Sequence, residues 1–154
     1  MRKIKFVAIK PKTQKLEWIE TDNLKTAELA CGLTAVDHGT FWRKPDGFGL
    51  AYVVYEFGFF VPVAKQAYAA VFDRLIAGNA VVYAFEPFGD TISVEPNMIS
   101  EKNVKWLPTQ FDVEMAISQK LVARPVIATN GNVHWSWPSP PPPDFAGKKI
   151  EGRD

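Results

Sequence analysis

The chain has little with which to do covalent or metal chemistry. Its 154 residues include one cysteine, Cys31, and two histidines, His38 and His134. A lone cysteine builds no disulfide framework within the chain and no cysteine-based metal site, and that usage suits a reducing cytoplasm. The histidines are far apart, with no cysteine or carboxylate at ligand spacing around them, so no zinc or iron site is expected. There is no G-x-S-x-G elbow and no Walker-type loop. The glycines of "GFGLAYVVYEFG" open a strand rather than a helix, so they form no phosphate cradle. No apolar run is long enough to cross a bilayer, and the basic start "MRKIKFVAIKPK" is broken by Lys5 and Lys10, unlike a signal peptide. A net charge of +1 gives no strong general pull toward nucleic acid or an acidic membrane. No catalytic residue, metal or cofactor is expected.

Hydrophobic residues make up 47% of the chain, enough for a substantial core in one domain. "KIKFVAIK" and "KLEWIE" read as two strands joined by the turn "PKTQ". The cations Arg2, Lys3, Lys5, Lys10, Lys12 and Lys15 all precede the first acidic residue, Glu17. They read as a solvated hairpin face or as a patch for an anionic partner. "TDNLKTAELACG" predicts a helix capped by Asp22 or Asn23, with Leu24, Ala27 and Cys31 on the buried stripe and Gly32 at its end.

"LTAVDH" is a short strand, and "GTFWRKPDGFG", punctuated by Gly39, Pro45, Gly47 and Gly49, reads as a loop. Residues 50–55 are apolar on both alternating faces, the mark of a buried central strand, and 81–94 reads as a hairpin through "PFGD". The stretch 65–78 is compatible with helix or strand, with strand favoured. "LPTQFDVEMAISQKLVARP" predicts a second helix capped by Thr109. Phe111, Met115 and Leu121 form its buried stripe, Ile117 sits near the stripe's edge, and Pro125 bars continuation. "PVIATNGNVHWSW" predicts a hairpin around Asn130-Gly131.

The expected architecture is α+β: a mostly antiparallel sheet with two helices and a C-terminal hairpin over 1–137, followed by a Pro-rich extended tail over 138–154. On the last strand Val133, Trp135 and Trp137 share a face, which suggests core, with a subunit interface or a ligand-stacking face as the alternatives. The run "PSPPPP" cannot join a sheet and should be a polyproline II arm, either a plain tail or a docking arm anchored by Phe145.

Two placements could carry chemistry. Asp37 precedes His38, but neighbours on a strand face opposite ways, so the pair is a poor dyad. Glu56, Glu86 and Asp90 sit at strand ends, where carboxylates usually serve turns. For binding, "DHGTFWRKPDG" places Trp42 beside Arg43 and Lys44, with His38 close by. An aromatic face next to cations suits a nucleotide, through stacking and phosphate neutralisation; the bland alternative is a surface loop whose Phe41 and Trp42 fold onto the core. Tyr52, Tyr55, Arg74, Asn79 and Tyr83 are further candidates to line a neighbouring pocket.

Three stretches taken together carry a resemblance: "KIKFVAIKPKTQKLEWIETDNLKTAELACGL", then "GLAYVVYEFGFFVP…QAYAAVFDRLIAGNAVVYAFEPFGDTISV", then "ARPVIATNGNVHWSWP". In this order they resemble small accessory proteins of tailed bacteriophages. In outline they are also similar to the phage sponge proteins that counter the Thoeris defence. The resemblance implies a non-enzymatic, oligomeric protein acting in the cytoplasm of an infected bacterium by sequestering a nucleotide signal; it carries over no individual residue. The alternative expectation is a protein–protein module: an inhibitor of a host enzyme, or a virion component docking through its Pro-rich arm.

Overall fold

The computed structural model describes residues 3–56, 58, 66–119, 124–127 and 133–136, the last two stretches for their backbone alone. The alternation of large apolar and charged residues at the start of the chain folds as β1 (Ile4–Lys10) and β2 (Lys15–Thr21), paired antiparallel from Ile4↔Thr21 to Lys10↔Lys15. The basic run of this hairpin meets acidic partners, Lys3 with Asp22 at 2.8 Å and Lys10 with Glu17 at 2.7 Å. Helix α1 (Leu24–Ala30) follows. Of the two expected caps Asn23 is the one used: its side chain accepts from the Thr26 N–H at 2.9 Å. The helix stops at Gly32, whose φ of +76° costs glycine nothing, and the Leu33 N–H returns to the Glu28 carbonyl at 3.0 Å.

Next come β3 (Val36–Arg43), β4 (Gly49–Tyr55), β5 (Tyr68–Val71), β6 (Arg74–Ala77), β7 (Ala80–Phe85), β8 (Thr91–Ile92) and β9 (Val104–Leu107). The larger sheet runs β2-β1-β7-β4-β3, with β8 also on β7, and every pairing in it is antiparallel. The smaller sheet runs β6-β5-β9. Helix α2 (Gln110–Ser118) begins in a capping box between Thr109 and Asp112. The backbones of β10 (Arg124–Ile127) and β11 (Val133–Ser136) pair antiparallel, with Arg124 opposite Ser136. The fold is α+β, with a mostly antiparallel sheet and two helices, in agreement with the sequence. The turn at 128–132, Leu121 and the tail from 137 onward lie outside the described residues.

Among the described residues four layers result, because the larger sheet and the smaller three-stranded sheet each bury both faces. The outer face of the large sheet, with Phe6, Ala8, Val53 and Val81, packs on Ala27 and Cys31 of α1. Its inner face, with Val7, Ile9, Leu50, Tyr52 and Val82, packs on Ala69, Val71 and Ile76 of the small sheet. The far side of the small sheet, with Tyr68, Ala70, Leu75 and Leu107, receives Ala116 of α2. Fully burying a side chain such as Leu50 or Phe6 contributes about 1.5–3 kcal/mol.

Two expectations need correction, and a third holds with a refinement. The stretch 39–43 is strand, not loop. Gly39 stays in the ladder because its missing side chain leaves the space that the Tyr52 ring fills, and a register shift between Thr40 and Trp42 absorbs one extra residue. The stripe of α2 is also different. Ala116 is buried with Val113 and Ile117 packed beside it, whereas Phe111 is 68% exposed and Met115 39%. Small side chains let the helix approach the sheet closely, which turns the larger ones outward. The helix ends at Ser118, well short of the proline expected to stop it. Finally, 66–78 forms two strands, the favoured reading, but they hinge at Phe72-Asp73, and Gly78 is a corner between the sheets. Phe72 holds φ +51°, a costly backbone for a side chain with a β-carbon, anchored by its N–H to the Asn103 carbonyl at 2.9 Å and its ring 5.2 Å from Phe41.

Polar groups are also buried between the sheets. Arg74 is 0% exposed, its guanidinium donates to the Thr40 carbonyl at 3.4 Å, and it lies 6.0 Å from the centre of the Tyr52 ring. Burial pushes the Tyr52 phenol up to about 12 from an ordinary 10. The folded state therefore holds this proton more tightly than the unfolded chain does. The associated stability is complete below pH 10 and is lost as pH rises toward 12. Wild-type protein should lose about 2–3 kcal/mol more than Tyr52→Phe across that window in urea titrations. Parallel curves for the two proteins would refute this.

Candidate ligand-binding cleft

The residues chosen from "DHGTFWRKPDG" lie on β3 and on the turn that follows it. The register shift opposes Trp42 to Leu50 and leaves Phe41 without a ladder partner, so both rings turn inward. Phe41 is buried at 4.5 Å from the Tyr52 ring, and Trp42 packs on the same core at partial exposure. The turn closes with the Lys44 N–H donating to the Phe48 carbonyl at 2.8 Å, and Asp46 accepts from the Phe48 N–H at 3.1 Å. At its tip Gly47 adopts φ +94°, and a β-carbon there would come within 2.8 Å of Pro87. The β3–β4 turn thus leans on the β7–β8 turn.

Between these turns and the segment after β8 is a cleft of about 220 Å³, whose lining includes Trp42, Lys44, Phe48, Phe85, Ile92, Asn97 and Met98. The Lys44 ammonium lies 5.7 Å above the Phe48 ring and 3.6 Å from the Asp46 carboxylate. Both partners of that ion pair are more than half exposed, so it holds Lys44 by about 0–1 kcal/mol and yields readily to a better anion.

Arg43 does not join them. Opposite Gly49, it projects to the outer face and stacks 5.1 Å from the Phe85 ring, which lies across Gly49. His38 is on that outer face too, with Nδ1 3.4 Å from the Tyr83 hydroxyl and the rings edge to face at 6.1 Å. The four sequence candidates therefore divide into Trp42 with Lys44 in the cleft, and Arg43 and His38 behind the sheet. Asp37 turns its carboxylate to the His38 backbone N–H at 3.0 Å, not to the imidazole. Among the described residues no group of three or more His, Cys, Asp and Glu side chains is placed to hold a metal ion, and no helix is long and apolar enough to cross a membrane.

Of the interface candidates, Trp135 is on β11, whereas Trp137 and Phe145 lie outside the described residues. Tyr52 and Arg74 are buried between the sheets, Tyr83 is on the outer face, and Tyr55 and Asn79 border a second cleft at the other end of the sheet. Sequence reasoning missed Phe48 and Asn97. Phe48 stood in the quoted loop and could have been read with Trp42; Asn97 carries no local signal. Comparison with protein-family models, with curated proteins and with solved structures gives no match.

Proposed function

We propose that the protein is a non-catalytic binding module that takes a nucleotide in the Trp42 cleft. The observation that carries this reading is the convergence of two aromatic rings, Trp42 and Phe48, an ammonium, Lys44, and a carboxamide, Asn97, on one small cavity. At about 220 Å³ the cavity is smaller than the roughly 300–1,000 Å³ of typical small-molecule sites, so it holds a base and its sugar edge, with the phosphate outside on Lys44. Stacking supplies about 1–3 kcal/mol per base, and Asn97 can read the base edge. Sequestration of a nucleotide signal of host defence is the role that the phage resemblance implies for such a module.

Isothermal titration with mono-, di- and cyclic nucleotides tests it. Binding should weaken about tenfold or more in Lys44→Glu, because a charge-assisted contact becomes a repulsion. Phe48→Ala should weaken it as well, while removal of 138–154 leaves it unchanged. If no nucleotide binds, or if Lys44→Glu binds as tightly as wild type, the reading fails.

One observation favours a protein partner instead. Phe88 at the β7–β8 tip is 93% exposed, and Phe48 on the adjoining turn is 37% exposed. A paired aromatic tip of this kind fits a pocket on another protein. In that case Phe88→Ala abolishes co-purification of the partner and has no effect on nucleotide titrations.

A further inference from the structure

A second, wider cleft of about 420 Å³ opens at the other end of the large sheet. It is separated from the Trp42 cleft by the length of β4, about 20 Å for seven residues. Its walls come from the β1–β2 turn, the end of α1, the end of β4 and the corner between β6 and β7. Two glycines in the left-handed region shape it: Gly32 at φ +76°, where an added side chain would meet only open space, and Gly78 at φ +81°.

The chemistry of these walls differs from that of the first cleft. Among the described lining residues Lys12 is the one that is charged, and none carries a carboxylate. The neighbouring Lys10 is already neutralised by Glu17 at 2.7 Å, and Lys12 forms no ion pair with a described residue. The remaining polar lining is hydroxyl and amide: Thr34, Tyr55, Gln66 and Asn79. Gln66 is fixed, donating to the Gly58 carbonyl at 2.9 Å and accepting from the Ala67 N–H at 3.1 Å. Asn79 donates its amide to the Cys31 carbonyl at 3.4 Å, which orients its carboxamide in the wall.

We infer that this cleft binds a small hydroxyl-rich anion of the sugar-phosphate or sugar-acid class. One ammonium selects a single anionic headgroup. Side-chain hydroxyls and amides both donate and accept, so they suit a ring of hydroxyls better than an apolar or planar ligand. The volume lies within the range of small-molecule sites, and the fixed Gln66 and the two glycine turns mean that little has to be ordered on binding.

The test is a titration of isotope-labelled protein with ribose 5-phosphate, gluconate and inorganic phosphate at millimolar concentration, followed by amide NMR. The expected result is movement of the Gly32, Thr34, Gly78 and Asn79 resonances with ribose 5-phosphate, gluconate or both. A response to one of the two identifies the headgroup as phosphate or carboxylate. Lys12→Glu, an exposed site that leaves the fold intact, should weaken the response about tenfold or more. Lys44→Glu should leave it unchanged, which keeps this site distinct from the nucleotide cleft. Inorganic phosphate binding as tightly as the sugar probes would overturn the hydroxyl-rich assignment. No movement of these resonances with any probe, or movement that survives Lys12→Glu, would overturn the site.

Discussion

Arg74→Ala is expected to cost about 3–5 kcal/mol of folding stability. A fully buried guanidinium is retained only if its surroundings hold it. Here those surroundings are the Thr40 carbonyl, the Tyr52 ring and the buried Asp73 next to it in the chain. Truncation removes the cation, opens a cavity between the two sheets and leaves Asp73, 3% exposed, with one less compensating charge. Arg74→Met keeps most of the volume without the charge and should lose less than Arg74→Ala. Equilibrium urea unfolding of both variants is the measurement. A loss below about 1 kcal/mol in Arg74→Ala would show that Arg74 is a passenger rather than the polar link between the sheets.

Gly49→Ala should cost about 3 kcal/mol, at the upper end for adding a single methyl group. The new β-carbon would overlap the Phe85 ring and come within 2.6 Å of the Trp42 carbonyl oxygen. A flexible side chain could move aside, but a backbone carbonyl inside an antiparallel ladder cannot do so without breaking the β3–β4 register. The damage should therefore extend to the cleft, since Trp42 is positioned by that register. The expected result is a lowered midpoint in thermal unfolding together with weaker nucleotide binding. Wild-type stability in Gly49→Ala would mean that β3 is free to shift, and that Trp42 is not held in place.

Much of this was legible in the sequence wherever the deciding interactions are local. The β1–β2 hairpin, the Asn23 and Thr109 caps and the buried runs of β4 and β7 all follow from alternation, capping residues and turn chemistry within a few positions. What escaped depends on distant partners. Gly39 looked like a loop glycine because the ring that takes its space, Tyr52, is on another strand. Arg74 in "FDRLIA" reads as a candidate for the wall of a pocket, and its full burial between two sheets escaped because nothing adjacent announces a second sheet above it. β9 carries only four residues and gave no periodic signal. In the candidate site Trp42 and Lys44 could be named from composition, but Arg43 could not be separated from them. The register shift that turns Trp42 inward and Arg43 outward is a property of the pairing with β4.

The position of β7 has a consequence for how the chain assembles. This strand sits between β1 and β4, so the first strand made finds its second partner only after some seventy further residues have followed it. Until then the β1–β2 hairpin carries its Val7 and Ile9 side uncovered. Closing so long a loop is slow and leaves an apolar strand edge open to other chains in the meantime. Refolding should accordingly be limited by the docking of β1 on β7. Its yield should fall with protein concentration, as partly assembled chains pair with one another through that same edge.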